Sequence, residues 1–226
     1  MSQLKSFDTV FTAAEQRYGG FEELLEKMPV LPSDAELIRV SDNEYLAKMV
    51  RCVFVSGFSG KVIANKWDGF LEVFHNFDVD VLAELPEEEW QAMQQDSRIV
   101  RNGRKINAVR ENALLIQRVA KEHKSFGRFL VSWGAADQLG LMAYMQKNGN
   151  HLGDNTSQYF LRYAGIDGFI MSKDVCRAAA QAGVDIKPTP TSKVEKQALQ
   201  DAFNAWYQET EMPYTHLSKI LAYSVE

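Results

Sequence analysis

The chain has 226 residues, a formal net charge of -5 at pH 7 and two cysteines. A chain of this length buries roughly 70% of the surface that its unfolded form exposes, so it needs no disulfide framework in order to fold. The acidic balance excludes a protein that coats nucleic acid nonspecifically and leaves room only for a local basic surface.

The cysteines and the hydropathy pattern indicate a reducing compartment. Cys52 and Cys176 lie far apart in the sequence, and neither belongs to a CxxC pair. We therefore expect two free thiols in a cytoplasmic protein. No uncharged apolar stretch approaches the ~20 residues that a membrane helix needs, so we expect no membrane partner.

The first predicted elements are helices whose limits are marked by glycine and by capping residues. Residues 7 to 28 predict two helices with a break at Gly19 and Gly20. Ser41, followed three residues later by Glu44, matches a capping box and predicts the start of a long helix.

The stretch from Leu46 to Asp78 is the centre of the prediction. Its helix has one apolar face and runs into a bend of small residues between Ser56 and Gly60, where the backbone can turn sharply. Six aromatic rings follow one another in this region: Phe54, Phe58, Trp67, Phe70, Phe74 and Phe77. Aromatic rings in such number fill a core or stack on a flat ligand. We place the active pocket at this bend and keep core packing as the alternative for each ring.

A local basic surface is predicted between residues 98 and 110. The segment contains five cations and no acid: Arg98, Arg101, Arg104, Lys105 and Arg110. A long amphipathic helix then runs to about His123. A loop of Arg, Asn and Gly beside a helix N-terminus offers donors to a phosphate, and a solvated charged face is the alternative.

The sequence HLGDNTSQYFLRYAG predicts a tight turn followed by a helix. Gly153 lies in the turn, Asp154 or Asn155 can cap the helix, and the helix runs from Thr156 onward. A helix, a glycine hairpin and a second helix can hold a DNA phosphate without reading sequence, although any helix pair joined by a turn has this spacing. No alternating strand pattern is present, so the sequence predicts an all-α fold.

Three segments carry, in order, the motifs of a known family. SGFSGKVIANKWDGFLEVFHNFD has a small-Gly-apolar-Ser segment, a basic helix and a Phe-His-x-Phe-Asp motif. IVRNGRKINAVRENA has an Ile-apolar-Arg-x-x-x-Lys-Ile-x-Ala segment with a later Asn-Ala. Gly153 to Gly165 supplies a hairpin and the following helix. Together they resemble the 3-methyladenine DNA glycosylase I family, which belongs to the helix-hairpin-helix DNA glycosylase superfamily.

The resemblance implies a helix-hairpin-helix glycosylase-like fold with two helical lobes around a cleft. The chain would form a single helical domain, or two lobes of about residues 40–150 and residues 1–39 plus 151–226. The implied activity is hydrolysis of the N-glycosidic bond of an alkylated purine such as 3-methyladenine, flipped out of double-stranded DNA by a monomeric base excision repair enzyme. The alternative is a non-catalytic module of the same fold that binds modified or distorted DNA.

The resemblance also implies candidate site residues, because a cationic base needs electron-rich rings and a nearby carboxylate. The base-pocket candidates are Tyr18, Cys52, Phe54, Phe58, Ser59, Gly60 and Trp67. The DNA-binding candidates are Arg101, Lys105, Gly153, Asp154, Asn155 and Thr156. Asp174, close to the position of the superfamily's aspartate after the hairpin helix, is the catalytic candidate.

The chain departs from the family pattern in its pocket and in its zinc clasp. Cys52 stands at the position of the family's pocket glutamate, Gly60 at that of its stacking tryptophan, and Tyr18 at that of an N-terminal tryptophan. Ala14 and Ile220 stand at two positions of the family's Cys/His zinc clasp. We therefore expect no metal and no other cofactor.

Overall fold

The computed structural model describes residues 4–225, and these residues form helices without any β-strand. In chain order the α-helices are α1 Phe7–Tyr18, α2 Phe21–Leu25, α3 Asp34–Arg39, α4 Asp42–Val55, α5 Gly60–Asn65, α6 Trp67–Val73, α7 Val79–Glu84, α8 Glu87–Met93, α9 Gly103–His123, α10 Phe126–Trp133, α11 Gln138–Asn148, α12 Asp154–Ala164, α13 Lys173–Gln181, α14 Lys193–Thr210 and α15 Tyr214–Tyr223. Short 3₁₀ helices occupy His75–Phe77 and Ala135–Asp137. The prediction of an all-α fold is confirmed. Of the helices described, none has the length and apolar character needed to cross a bilayer.

Local chemistry sets the helix limits at the positions that the sequence predicts. The Ser41 side chain accepts a hydrogen bond from the backbone N–H of Glu44 at 3.2 Å and so caps the start of α4. Gly19 and Gly20 separate α1 from α2 with φ angles of +90° and +134°. Other residues adopt such angles at a steric cost, so the glycines account for the break.

Contacts divide the described residues into two compact units. The central unit consists of Ser33–Ser132 and Met142–Ala164. The terminal unit consists of the described residues up to Pro32, of Trp133–Leu141 and of those from Gly165 onward. The hairpin helix α12 therefore belongs to the central unit. The two lobes with limits near residues 40 and 150 stay a prediction.

The core of the central unit forms where α4 packs against α9 and α12 and where α7 packs against α9. The predicted apolar face of α4 is confirmed as buried, with at most 2% of each side chain exposed: Leu46, Met49, Val50, Val53 and Phe54. Complete burial of an apolar side chain of this size contributes about 1.5–3 kcal/mol. This face fixes the orientation of α4 and leaves its other side to face the site described below.

Core packing accounts for most of the aromatic rings in the central stretch. Phe54, Phe70, Phe74 and Phe77 are fully buried. Trp67 stacks on Phe70 and Phe77, with distances between ring centroids of 5.6 and 5.4 Å. Aromatic pairs at these separations stabilise beyond the area that they bury, so the rings hold α6 and the following 3₁₀ helix together.

The terminal unit has a core of its own, built by α1, α13, α14 and α15. Phe7 packs on Trp206 with a centroid distance of 5.6 Å, and Phe169 stacks on Phe203 at 4.4 Å. The Gln138 side chain donates to the backbone carbonyl of Phe169 and accepts from its N–H. These two bonds fix the extended segment that leads into α13.

Candidate active site

A cavity of about 360 Å³ opens between α4 and α12 in the central unit. Its lining residues come from the end of α4 and from the start and middle of α12: Arg51, Cys52, Val55, Ser56, Asn155, Thr156, Tyr159 and Tyr163. The volume falls in the range of sites that hold small molecules, about 300–1,000 Å³. A purine base fits into a space of this size.

Helical spacing explains why these side chains meet at one cavity. Arg51, Cys52 and Val55 lie on the side of α4 that its buried apolar face leaves free. Tyr159 and Tyr163 are four residues apart on α12, so they share one face of that helix. Each tyrosine is 48% exposed, which leaves aromatic surface open to a flat ligand.

The guanidinium group of Arg51, which lines this cavity, is within cation–π distance of two aromatic rings. Its Cζ is 5.6 Å from the ring centroid of Trp67 and 5.4 Å from that of Tyr163. Nη1 donates a hydrogen bond to the Tyr163 hydroxyl at 2.9 Å. Cation–π contacts of this kind hold a planar cation in place. Sequence reasoning missed Arg51, and its position next to Cys52 is the signal that could have identified it.

Cys52 contributes a neutral thiol to the cavity. Burial raises the pKa of Cys52 to about 11, and the smaller opposing effect of the Arg51 charge does not offset this. The thiol is therefore protonated at neutral pH and is a weak hydrogen-bond donor. Within residues 4–225, no carboxylate lines this cavity. Cys52, which the resemblance aligns with a glutamate of the family, thus contributes no negative charge to the cavity.

Of the predicted base-pocket residues, Cys52 is the one that the described structure brings to the cavity. Phe54 lies in the core. Trp67 stacks on the core ring of Phe70 and is also contacted by Arg51. Phe58 is half-buried, and its ring centroid lies 5.1 Å from Nζ of Lys105. Contact of these three rings with a base stays a prediction.

The remaining pocket candidates lie elsewhere. Ser59 and Gly60 are exposed at the start of α5, and a β-carbon on Gly60 would meet no atom within 4 Å. Tyr18 belongs to the terminal unit, where its ring packs on Tyr223 with a centroid distance of 4.5 Å. The sequence had grouped these residues with the bend because they are neighbours along the chain or match the family by position.

Lys105 caps the C-terminal end of α4. Its Nζ donates to the carbonyl oxygens of Val53 at 2.6 Å, of Phe54 at 3.5 Å and of Ser56. The residue is 8% exposed, and burial lowers the pKa of its ammonium group. The last carbonyls of a helix lack partners within the helix and carry partial negative charge, so this cation satisfies them. An ammonium group has three donors, and all three are engaged here.

Two cations of the predicted basic surface are exposed near the hairpin, whereas Arg98 and Arg110 form ion pairs with carboxylates of the described residues. Arg101 and Arg104 are exposed at the start of α9. Partial burial, and then the charges of Lys105 and Arg104, lower the pKa of His151 in the hairpin. The basic segment and the hairpin are therefore close enough for their charges to interact.

Asn112 and Gly149 fix the shape of the hairpin. Asn112 is fully buried, and its side chain donates to the carbonyl of Asn150 at 3.0 Å and accepts from the Asn150 N–H at 2.8 Å. A β-carbon on Gly149 would lie 2.9 Å from Oδ1 of Asn112, so glycine is required there. Gly153, to which the sequence analysis gave the hairpin role, has no atom within 4 Å of such a β-carbon.

The other hairpin candidates begin α12. Asp154 lies in its first turn. Asn155 and Thr156 line the cavity. Residues that follow the hairpin therefore also line the cavity, and their contact with a DNA phosphate stays a prediction.

The catalytic candidate lies in the terminal unit. Asp174 is exposed in the first turn of α13, where it forms an ion pair with Arg177 at 3.2 Å. Ser172 caps this helix by accepting from the N–H of Val175. The role of Asp174 in a reaction stays a prediction. Within residues 4–225, no group of three or more His, Cys, Asp or Glu side chains is arranged to hold a metal ion.

Comparisons with known proteins identify the family. The structure is similar to that of 3-methyladenine DNA glycosylase I from Staphylococcus aureus, with 17% identity, a TM-score of 0.52 and coverage of 68% of this chain and 91% of that one. It is also similar to the 8-oxoguanine DNA glycosylase of Methanocaldococcus jannaschii, with 15% identity, a TM-score of 0.54 and coverage of 96% and 93%. The same archaeal glycosylase/lyase in complex with a 15mer DNA containing 8-oxoguanine gives a TM-score of 0.50 at 15% identity, with coverage of 95% and 96%.

At sequence identities this low, the structural similarity shows that this chain and these glycosylases share a fold. No curated protein matches the chain. The family model described as methyladenine glycosylase matches residues 37–157, which is more than half of the chain. This chain therefore belongs to the methyladenine glycosylase family.

Proposed function

We propose that this protein is a DNA glycosylase that hydrolyses the N-glycosidic bond of an alkylated purine in double-stranded DNA, as a monomer acting in base excision repair. The main support for this proposal is the cavity between α4 and α12. Exposed tyrosine rings line this cavity, and the hairpin is adjacent to it. A base must leave the helical stack before an enzyme can act on it, and such a cavity accepts it. Family membership supports the reaction, and it favours 3-methyladenine as the substrate.

DNA binding in this proposal uses the hairpin and the exposed cations. Backbone N–H groups at the start of α12 and the side chains of Arg101 and Arg104 face phosphates next to the modified nucleotide. Lys105 is left out of this interface, because its donors are engaged by backbone carbonyls. The base that leaves the stack then packs against Tyr159 and Tyr163.

The chemistry that we propose needs little acid catalysis. When a purine methylated at N3 leaves, the bond between C1′ and the base nitrogen breaks, its electron pair neutralises the cationic base, and water adds to C1′ with loss of a proton. Positive charge develops on the sugar, and Asp174 is the carboxylate proposed to stabilise it. No lysine lines the cavity within the described residues, so we propose hydrolysis without a lyase step.

A second candidate function is a non-catalytic module that binds modified or distorted DNA. The neutral thiol of Cys52 at the family's glutamate position favours it, because a protonated thiol cannot accept from a base edge as a carboxylate does. In this function the cavity holds the base and the glycosidic bond stays intact.

A base-release assay distinguishes the two functions. Duplex DNA treated with a methylating agent is incubated with the full chain, and released bases are quantified by chromatography. The glycosylase proposal expects release of a modified purine above the spontaneous rate, and a loss on the order of 100-fold in Asp174→Asn. The matched control is Asp185→Asn, an exposed carboxylate in the same unit, which should keep the wild-type rate.

Each outcome of this assay supports at most one of the two functions. A gel shift on modified DNA without any release supports the binding module. Absence of both release and binding contradicts both functions.

A further inference from the structure

We infer that the cavity between α4 and α12 accepts cationic purines with an N-alkyl group larger than methyl, up to about four carbons, in addition to methylated purines. The inference deepens the proposed function and rests on it for one point, that an alkylated base enters this cavity. The leaving-group chemistry is unchanged. A purine that carries a longer alkyl group at N3 or N7 is also a cation, and it also leaves as a neutral base.

The volume of the cavity is the first observation. It measures about 360 Å³. A cavity of about 150 Å³ in a protein interior holds a benzene molecule, which corresponds to roughly 25 Å³ for each non-hydrogen atom. On this scale a methylated adenine needs about 275 Å³. The space that remains is about 85 Å³, which is enough for about three more carbon atoms.

The short side chains at the end of α4 are the second observation. Cys52, Val55 and Ser56 follow one another at helical spacing, so they line the same side of the cavity. A thiol, an isopropyl group and a hydroxymethyl group are all short, so this side of the cavity leaves space beside a bound base. Cys52 is also shorter than the glutamate with which the resemblance aligns it.

The chemistry of the same side chains suits an alkyl group. Val55 is 41% exposed, and Cys52 is a neutral thiol. Burial of methylene groups against such side chains is favourable and breaks no strong hydrogen bond. Arg51 is the one charged side chain among the described residues of the lining. It is partly exposed, so solvent screens its effect on a cationic base.

Stacking on the tyrosine rings does not depend on the size of the alkyl group. Tyr159 and Tyr163 are each 48% exposed at the cavity. An alkyl carbon bonded to a ring nitrogen lies in the plane of the purine, so it leaves the face of the base free for a tyrosine ring. Stacking of this kind accepts any base. The size of the alkyl group is therefore limited by the volume of the cavity.

DNA alkylated with groups of increasing length tests the inference. Duplex DNA is treated separately with methyl, ethyl and butyl methanesulfonate, and the N3- and N7-alkylpurines in each sample are quantified after thermal depurination. The full chain is then incubated with each DNA, and the released bases are measured by mass spectrometry relative to those totals. The wild type should release ethylpurines and butylpurines at rates within about threefold of methylpurines. A cavity that a methylated base already fills would lower the rate about tenfold or more for each added methylene group.

Substitutions that fill the cavity identify the cause. Cys52→Leu should lower the ratio of butylpurine release to methylpurine release about tenfold, because the longer side chain occupies the space that the alkyl group needs. The control Val81→Leu enlarges a side chain of α7 that is 41% exposed and does not line the cavity, so it should keep the wild-type ratio. If Cys52→Leu fails to fold, as judged by circular dichroism, Val55→Phe provides the same test at an exposed position of the lining.

Wild-type release of methylpurines with butylpurine release at less than about a tenth of that rate overturns the inference. A ratio that the enlarged side chain leaves unchanged also overturns it. Failure of the proposed function has a different signature, because no alkylpurine of any length would then be released above the spontaneous rate.

Binding decides the inference if no base is released. Duplex oligonucleotides carry one 7-methylguanine or one 7-butylguanine, and fluorescence anisotropy measures the Kd for the full chain. A 2′-fluoroarabinose at the modified nucleotide keeps the glycosidic bond intact. Kd values within about threefold of each other, both below that of unmodified DNA, support the inference. A 7-butylguanine duplex that binds as weakly as unmodified DNA overturns it.

Discussion

Lys105 and Arg51 are two cations near the end of α4 with different surroundings. Lys105 is 8% exposed, and its three donors reach the carbonyls that end the helix. Arg51 is partly exposed, contacts two aromatic rings and makes one hydrogen bond to the described residues. All three N–H donors of Lys105 bond to the protein backbone, whereas Arg51 has N–H donors that can bond to a ligand.

Charge alone therefore does not assign a cation to a binding surface. The family-like segment that contains Lys105 led the sequence analysis to group it with the phosphate-binding residues. Its engaged donors instead make it a cap for α4, and α4 in turn carries one wall of the cavity. Arg51 lies in an otherwise apolar stretch of that helix, so the sequence pattern did not indicate a binding role for it.

Substitution of Lys105 should destabilise the protein more than any other change considered. Lys105→Met should lower the free energy of unfolding by about 2–3 kcal/mol, because it leaves buried carbonyl groups without a donor. Arg51→Met, its counterpart, should cost less than about 1 kcal/mol, because that residue is partly exposed. Urea denaturation followed by tryptophan fluorescence measures both.

The control for this pair is Lys61→Met, an exposed lysine of α5, which should change stability by no more than about 0.5 kcal/mol. Equal losses for the Lys105 and Arg51 variants would contradict the distinction between an engaged and an available cation.

Loss of the Asn112 side chain, which holds the hairpin, should lower the free energy of unfolding by an intermediate amount. Asn112→Ala should lower the free energy of unfolding by about 2 kcal/mol, because the backbone N–H and carbonyl of Asn150 both lose their partner. Asn107→Ala, on the exposed side of the same helix, is the control and should stay within about 0.5 kcal/mol. Thermal or urea unfolding measures the stability of both variants. Equal stabilities for Asn112→Ala and Asn107→Ala would show that Asn112 does not fix the hairpin.

Substitution of the exposed arginines in the basic segment should change the salt dependence of DNA binding modestly. Arg101→Gln and Arg104→Gln should each reduce the slope of log K against log salt by about one, since each removes a phosphate contact. Arg128→Gln should leave the slope as it is. Anisotropy titrations on duplex DNA between low and moderate salt give these slopes. Slopes unchanged in both loop variants would remove the basic segment from the interface.

The features that depend on neighbouring residues could be predicted from the amino-acid sequence. Helical spacing predicted the buried face of α4, the serine at position 41 predicted its start, and two glycines predicted the break after α1. Three ordered motifs indicated the family to which the chain belongs. Such features follow from the intrinsic geometry of a helix and from capping chemistry, which act within a few residues.

The packing of distant helices determines which side chains meet at the cavity and which are engaged in hydrogen bonds within the protein. Arg51 and Tyr163 are 112 residues apart in sequence, Lys105 and Val53 are 52 apart, and Asn112 and Asn150 are 38 apart. Periodicity shows that a residue lies on a given face of its helix, but not which helix that face meets. The number of donors that a polar group has left for a ligand depends on those distant partners, and so it emerges only when the chain has packed.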